Sequence, residues 1–249
     1  MTNPAAVSTP APAQKPASFW EDLIDIFFQP VDVFRRREYA SFWPPLIAVA
    51  VLTAVFAVAN TNVLQPIIDA EMSRQMAQMM KSNPRFTPEM AERGRAFGEK
   101  IASVVRYGTI VTVPIFLFLY ALWAWLTGKV FGSKQTFGAA MMVISYSFIP
   151  RVLESVVDAV EGLLMDPSKL NAMSRIQLNP ARFYDPDTAN PMTLAILSRV
   201  DVFVIWFWIL VGVGLYVTGK VSRGKAATFS ITMWVLGSLW VIRNAYMRM

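Results

Sequence analysis

The stretch ISYSFIPRVLESVVDAVEG, Ile144 to Gly162, starts as an apolar helix and ends with Arg151, Glu154, Asp158 and Glu161 at helical spacing. Its reading decides the fold. Charges at mid-bilayer would mark a proton or ion path, or a catalytic carboxylate pair. Charges at the edge would mark a transmembrane helix leaving the lipid. Length separates the two. The charge-free run from Gln135 to Pro150 is 16 residues, about 24 Å of helix. That is roughly four residues short of a usual span. Four more bring in Arg151 and Glu154 only at the very end, and leave Asp158 and Glu161 at or beyond the headgroups. A charge at the helix centre costs about 2.5–3.5 kcal/mol on insertion scales, and far less at the edge. The exit reading is therefore favoured over a buried relay. Val152, Leu153, Val156, Val157 and Val160 prolong the apolar face, so the helix is expected to run on past the bilayer.

Composition points the same way. Of 249 residues, 55% are hydrophobic and 16% charged, against about 25% charged in soluble domains. The mean hydropathy is +0.41. Cys and His are both absent. Disulfides and thiolate chemistry are thereby excluded, and the commonest general base and zinc ligand are missing. No P-loop, dinucleotide fingerprint, zincin motif or nucleophile elbow occurs. No cofactor, metal or catalytic residue is expected, and no basic–aromatic surface suggests nucleic acid.

Four further apolar segments accompany the third. The first is charge-free from Tyr39 to Ile68 and holds one span starting near Phe42. The second, Tyr107 to Gly128, is 22 residues without a charge, about 33 Å of helix against a hydrocarbon core of about 30 Å. The fourth and fifth, Val202 to Gly219 and Ala226 to Ile242, are charge-free for 18 and 17 residues, adequate with snorkelling flanks. The expected fold is all-α: a polytopic membrane bundle of five transmembrane helices, an N-terminal interfacial helix and two helical outer loops. Arg35–Arg37, Lys129, Lys134, Lys220, Arg223 and Lys225 flank the spans on one side. The positive-inside rule assigns that side to the cytoplasm. The N-terminus is then cytoplasmic, the C-terminus outside, and the membrane the bacterial inner one.

Residues 1–18 are Pro-, Ala- and Ser-rich and read as a disordered tail. Residues 19–38 follow as an amphipathic helix and basic flank, and 39–249 as the membrane domain. In FWEDLIDIFFQP, Phe19, Trp20, Leu23, Ile24, Phe27 and Phe28 fall on one helical face and Glu21, Asp22 and Asp25 on the other. Too short to span, the helix is expected in the interface, either as an anchor packed on its own bundle or as a partner-docking helix. Its removal is expected to break an association and leave the bundle folded.

The outer loops, 65–103 and 161–199, carry helix signals. Ile68, Met72, Met76, Met79 and Met80 form a stripe suited to packing on the bundle. Thr87 with Pro88, and Asn190 with Pro191, are N-cap pairs expected to open helices running into spans two and four, with a kink at Pro114. Gly128 and Gly132 have GxxxG spacing but at a span end, so no helix dimer is read from them. Gly212 and Gly214 permit close helix approach.

Arg106, Arg151, Glu154, Arg199, Asp201 and Arg243 collect at the outer span ends, with Asp158 beyond. Glu154 and Asp158, four apart, repel unless a cation stands between or beside them; Arg151, Arg106 and Arg199 are candidates. The cluster reads as a charge network fixing helix register, or as a lipid-headgroup or substrate site.

The order of features resembles the bacterial branch of the Yip domain family, five-span membrane proteins related to the Ypt/Rab-interacting proteins. Three stretches carry it: FFQPVDVFRRREYASFWPPLIAVAVL; TFGAAMMVISYSFIPRVL, with Tyr146 and Pro150; and ILSRVDVFVIWFWILVGVGLYVTGKVSRGKA, with Leu197, Asp201, Phe203 and Trp206. The resemblance covers roughly residues 25–245. It implies a cytoplasmic N-terminus, five helices and no known catalytic residues. For bacterial members it names a fold and not an activity. The function expected is non-enzymatic: organising the membrane or binding partners, with the lipid bilayer and other membrane proteins as companions. The alternative is a transporter or channel component with a polar outer vestibule. An acid–base enzyme built on Glu154 and Asp158 is a third reading, disfavoured by the missing His, Cys and metal motifs.

Overall fold

The computed structural model describes residues 18–247 apart from 84, 167 and 168, and leaves the side chains of 78, 82, 102, 103 and 105–107 undescribed. The Pro/Ala-rich tail lies outside this range except for Ser18. The fold is an all-α helical bundle, with no strand among the described residues. Gly108–Val130, Phe137–Leu164, Val202–Gly219 and Arg223–Tyr246 are long and apolar enough to cross a membrane. The pair Trp43–Ala59 and Thr61–Lys81, bent by 75°, makes a fifth if counted as one span.

The N-terminal helix is present and is half of a hairpin. Helix α1 (Phe19–Phe28) opens with a capping box: the Ser18 hydroxyl accepts from Glu21 N, and Glu21 Oε2 from Ser18 N. Pro30, without an N–H, starts α2 (Pro30–Arg37) in a new direction. One end of the hairpin lies at Trp206, whose ring centroid is 5.2 Å from that of Phe27 in an edge-on contact. At the other end, Lys220 Nζ donates to Glu38 Oε2 at 2.7 Å. Trp206 and Lys220 are about 21 Å apart along their helix, so the hairpin lies along much of α9 (Val202–Gly219).

The apolar face expected for α1 is split. Asp22 and Ile26 are wholly buried, with Phe19, Leu23 and Phe27 half-buried around them, while Trp20, Ile24 and Phe28 are 72%, 64% and 79% exposed. Asp22 turns inward because its partners are there. Its carboxylate accepts from Arg36 Nε at 2.6 Å, Arg37 Nε at 2.5 Å and the Tyr146 hydroxyl at 3.2 Å. Arg36 also donates to Asp25 at 2.5 Å. The acidic face of α1 and the basic end of α2 neutralise each other, and α1 forms part of the core. Removing it would take the Asp22 carboxylate from Arg36 and Arg37 and uncover the residues packed beneath it.

Helix α3 (Trp43–Ala59) packs on the helices Pro88–Val130, Phe137–Ser147 and Ile149–Leu164. At its end the Asn60 amide donates to Ser155 O at 2.8 Å, and the chain turns into α4 (Thr61–Ser82). Helix α5 (Pro88–Val130) opens at Thr87, whose hydroxyl accepts from Met90 N, and continues through Pro114 into the span as expected. The Met stripe of α4 packs on it: a Cβ placed on Gly98 would lie 2.9 Å from Met72 Cε, and one on Gly94 3.7 Å from Met76 Cε.

The third span is α6 (Phe137–Ser147) followed by α7 (Ile149–Leu164), with the break at Phe148 just before Pro150. The chain does continue helically beyond the apolar run. Helix α8 (Pro191–Leu197), capped by Asn190, stops short of the fourth span, against expectation. Asp201 restarts the helix: its Oδ1 accepts from Phe203 N at 2.9 Å and Val204 N at 3.1 Å. Helix α10 (Arg223–Tyr246) packs on α9 at Gly212 and α6 packs on it at Gly214. A Cβ at these positions would sit 2.1 Å from Ser230 Oγ and 2.3 Å from Val143 Cγ1. Gly132 has φ +82° in the turn after α5, a conformation suited to glycine, and so serves the turn and not a helix dimer.

The basic flanks meet at one end. Lys134 N donates to Gly219 O at 2.9 Å and the Gln135 amide to Thr218 Oγ1 at 2.6 Å, beside the Lys220–Glu38 pair. Helices α4 and α8 and two 3-10 turns, Met173–Arg175 and Pro180–Phe183, gather at the opposite end.

Candidate functional site

The charges of the opening stretch stand at that opposite end. Arg151 and Glu154 lie near Asn60, where α3 ends, and Asp201, where α9 begins. From Phe137 to Ser155 is about 27 Å of helix, close to a hydrocarbon core of about 30 Å. The side chains are nonetheless buried by protein: Glu154, Asp158 and Asp201 are at most 8% exposed. Arg151 is ion-paired with Glu154 and stands 3.9 Å from Asp201. It thus supplies the cation that the Glu154–Asp158 spacing requires. Asp158 Oδ1 and Asp201 Oδ2 have no hydrogen-bond partner among the described residues.

Of the other candidates, Arg106 lies on α5, with its side chain undescribed. Arg243 lies over the Trp240 ring, 5.8 Å from its centroid. Arg199 is held to α10 twice: its Nε donates to Ser238 Oγ at 3.2 Å, and its carbonyl accepts from Trp234 Nε1 at 3.0 Å. No carboxylate lies within ion-pair distance of it among the described residues. Burial holds its guanidinium below the ordinary value, opposed by Tyr120 and Asp201 and reinforced by Arg151. An arginine remains charged under such shifts.

Arg151 and Arg199 share a cavity of about 440 Å³ with Leu117, Phe148, Phe207 and Trp208. By contrast the cavity deep between α5, α6, α9 and α10 holds about 10 Å³, room for roughly one water. No group of three Asp or Glu is placed to hold a metal among the described residues. Replacing Arg151 by Gln is expected to cost about 1–2 kcal/mol, because buried Glu154 loses its partner. Thermal unfolding in detergent would measure it.

Sequence reasoning missed the buried Asp22–Arg36–Arg37–Tyr146 group. The signal was present: three acids on α1 and three arginines at the end of α2, across a proline turn. It also placed the residues of the resemblance without their roles. Tyr146 reaches Asp22, Pro150 marks the α6–α7 break, Asp201 caps α9, Phe203 is buried, and Trp206 receives Phe27.

YknW, a membrane protein of Bacillus subtilis (strain 168), is 25% identical over 207 residues, covering 81% of this chain and 80% of its own. No solved structure matches the chain. The Yip1 domain model matches residues 24–243, from within α1 almost to the end of α10, and on that match the chain belongs to the Yip1 domain family.

Proposed function

We propose that this Yip1-domain protein is a non-enzymatic organiser of the membrane, acting through the α1–α2 hairpin as a wedge in one leaflet. The observation that carries this is the exposed stripe Trp20, Ile24 and Phe28 on a hairpin whose buried charges are already paired. The stripe itself is apolar and repeats every four residues, as for a helix face against lipid, while Glu21 and the Asp32–Arg35 pair of α2 are exposed beside it. The hairpin's charged base stands beside Lys220, at the end that the positive-inside rule assigns to the cytoplasm. It would therefore add most of its volume to the cytoplasmic leaflet of the inner membrane. Narrowness of the deep cavity, and the pairing of Arg151 with Glu154, favour this reading over transport.

The test is reconstitution into large vesicles followed by imaging of their diameters. The intact chain is expected to shift vesicles to smaller diameters as the protein-to-lipid ratio rises. The variant Trp20→Ser, Ile24→Ser, Phe28→Ser is expected to insert and fold but leave diameters unchanged. Equal diameters for both proteins would remove the wedge. If the triple variant instead loses a co-purifying membrane protein while diameters stay equal, the stripe docks a partner.

A further inference from the structure

The cavity of about 440 Å³ lies at the end of the bundle opposite the Lys220–Glu38 base of the hairpin, between α5, the α6–α7 break, α9 and α10. Its walls are apolar and aromatic: Leu117, Phe148, Phe207, Trp208 and Val241. Phe116 and Trp240 stand at its rim and are 59% and 64% exposed, facing outward between two lightly buried spans. The cavity therefore opens sideways, to the lipid. Its size and lining are those of a ligand site between helices of a bundle, apolar with a few placed polar groups. The polar side chains here are Arg199, Arg151 and Tyr120.

The two cations differ. Arg151 is occupied by Glu154 and lies beside Asp201. Asp201 Oδ1 is itself engaged in capping α9. Arg199 has one neutral side-chain partner, Ser238, and no ion pair among the described residues. A partly buried cation against an apolar wall is costly unless an anion meets it. Asp201 acts on Arg199 only at longer range, and none of Glu154, Asp158 and Asp201 comes within 4 Å of it. Charge and shape thus ask for one molecule with a negative group at one end and a hydrocarbon chain at the other.

We propose that this lateral cavity binds an anionic phospholipid of the surrounding leaflet, its phosphodiester on Arg199 and one acyl chain against Leu117, Phe207 and Trp208. No residue of the hairpin lines the site, which does not depend on the wedge. A guanidinium donates to a phosphate through paired N–H groups, and basic pockets between transmembrane helices take anionic headgroups in this manner.

Gly237 gives a direct way to block the site. It lines the cavity on α10, and a Cβ placed there meets nothing within 4 Å. Gly237→Leu should therefore fill the mouth without displacing a helix. The intact chain, Arg199→Gln, Arg199→Lys and Gly237→Leu would each be placed in nanodiscs of phosphatidylcholine containing phosphatidylglycerol. Native mass spectrometry after gentle extraction then counts retained lipids. The expected result is one retained phosphatidylglycerol on the intact chain and on Arg199→Lys. In Arg199→Gln and Gly237→Leu the retained fraction falls about tenfold, as for loss of one charge-assisted contact. Gly237→Leu keeps Arg199 in place, so its loss of lipid cannot be ascribed to a missing structural cation. Retention of phosphatidylglycerol by both variants at the level of the intact chain would overturn the proposal. Equal retention of phosphatidylcholine would overturn it as well.

Discussion

Asp22→Ala is expected to destabilise the protein by about 3–5 kcal/mol, the cost of breaking a buried ion pair by removing one partner. Asp22 is wholly buried and answers two arginines, Arg36 and Arg37, as well as the Tyr146 hydroxyl. Its loss takes the buried carboxylate away from both guanidinium groups, although Arg36 keeps Asp25. The hairpin should then leave α9, and the chain around residues 18–38 should become open to protease in detergent while the remaining spans stay helical. The combination Asp22→Leu, Arg36→Met, Arg37→Met is expected to recover much of the loss, because apolar residues of similar volume often replace a buried ion group at little cost. A lowered midpoint in the single variant with no recovery in the triple one would mean that specific hydrogen bonding, and not charge balance, holds the hairpin.

Gly214→Ala is expected to cost about 3 kcal/mol, the upper part of the usual range for overpacking. The added Cβ would stand 2.3 Å from Val143 Cγ1, 2.7 Å from Cγ2 and 3.0 Å from Cβ. Both residues lie in the buried seam between α9 and α6, where a β-branched side chain has little freedom to rotate away. Val143→Ala removes the obstructing methyl groups, so the double variant should be more stable than Gly214→Ala alone. A double-mutant cycle on thermal midpoints measures the coupling. Independent, additive effects would show that α6 and α9 separate easily, and that the close approach is not what holds them.

The spans were legible because length and charge placement set them almost without context. The run from Gln135 to Pro150 is too short to hide Glu154 at mid-bilayer, and in the structure it lies at the level where α3 ends and α9 starts. Gly212 and Gly214 were legible for a similar reason: glycine in a span has few uses other than close approach. Asp22 was not. In an isolated helix its periodicity sets it opposite Phe27 and Phe28, and only the return of α2 brings Arg36 and Arg37 across. Local patterning ranks a carboxylate as solvent-facing, whereas tertiary charge pairing can turn it inward. The stop between α8 and α9 was hidden likewise, since Asn190-Pro191 signals a start and nothing nearby signals so early an end. Of the outer cluster, Arg151, Glu154 and Asp201 stand together in the structure. The different standing of Arg199, tied to Ser238 and open to a cavity, needed the position of α10.

Helix α5 has a mechanical consequence. Its 43 residues extend for about 65 Å, roughly twice the hydrocarbon thickness, with only the stretch Gly108–Val130 forming the span. The rest is an arm of about 30 Å, braced by the methionines of α4 and continuous with the span through backbone hydrogen bonds. A torque applied at the Thr87 end is carried by one rod to Gly128, which sits against Leu215 at the other face of the bundle. Pro114, where one rung of that ladder is missing, is the rod's most compliant point. The arm and the basic end are thus the two ends of one lever, with its fulcrum inside the bilayer.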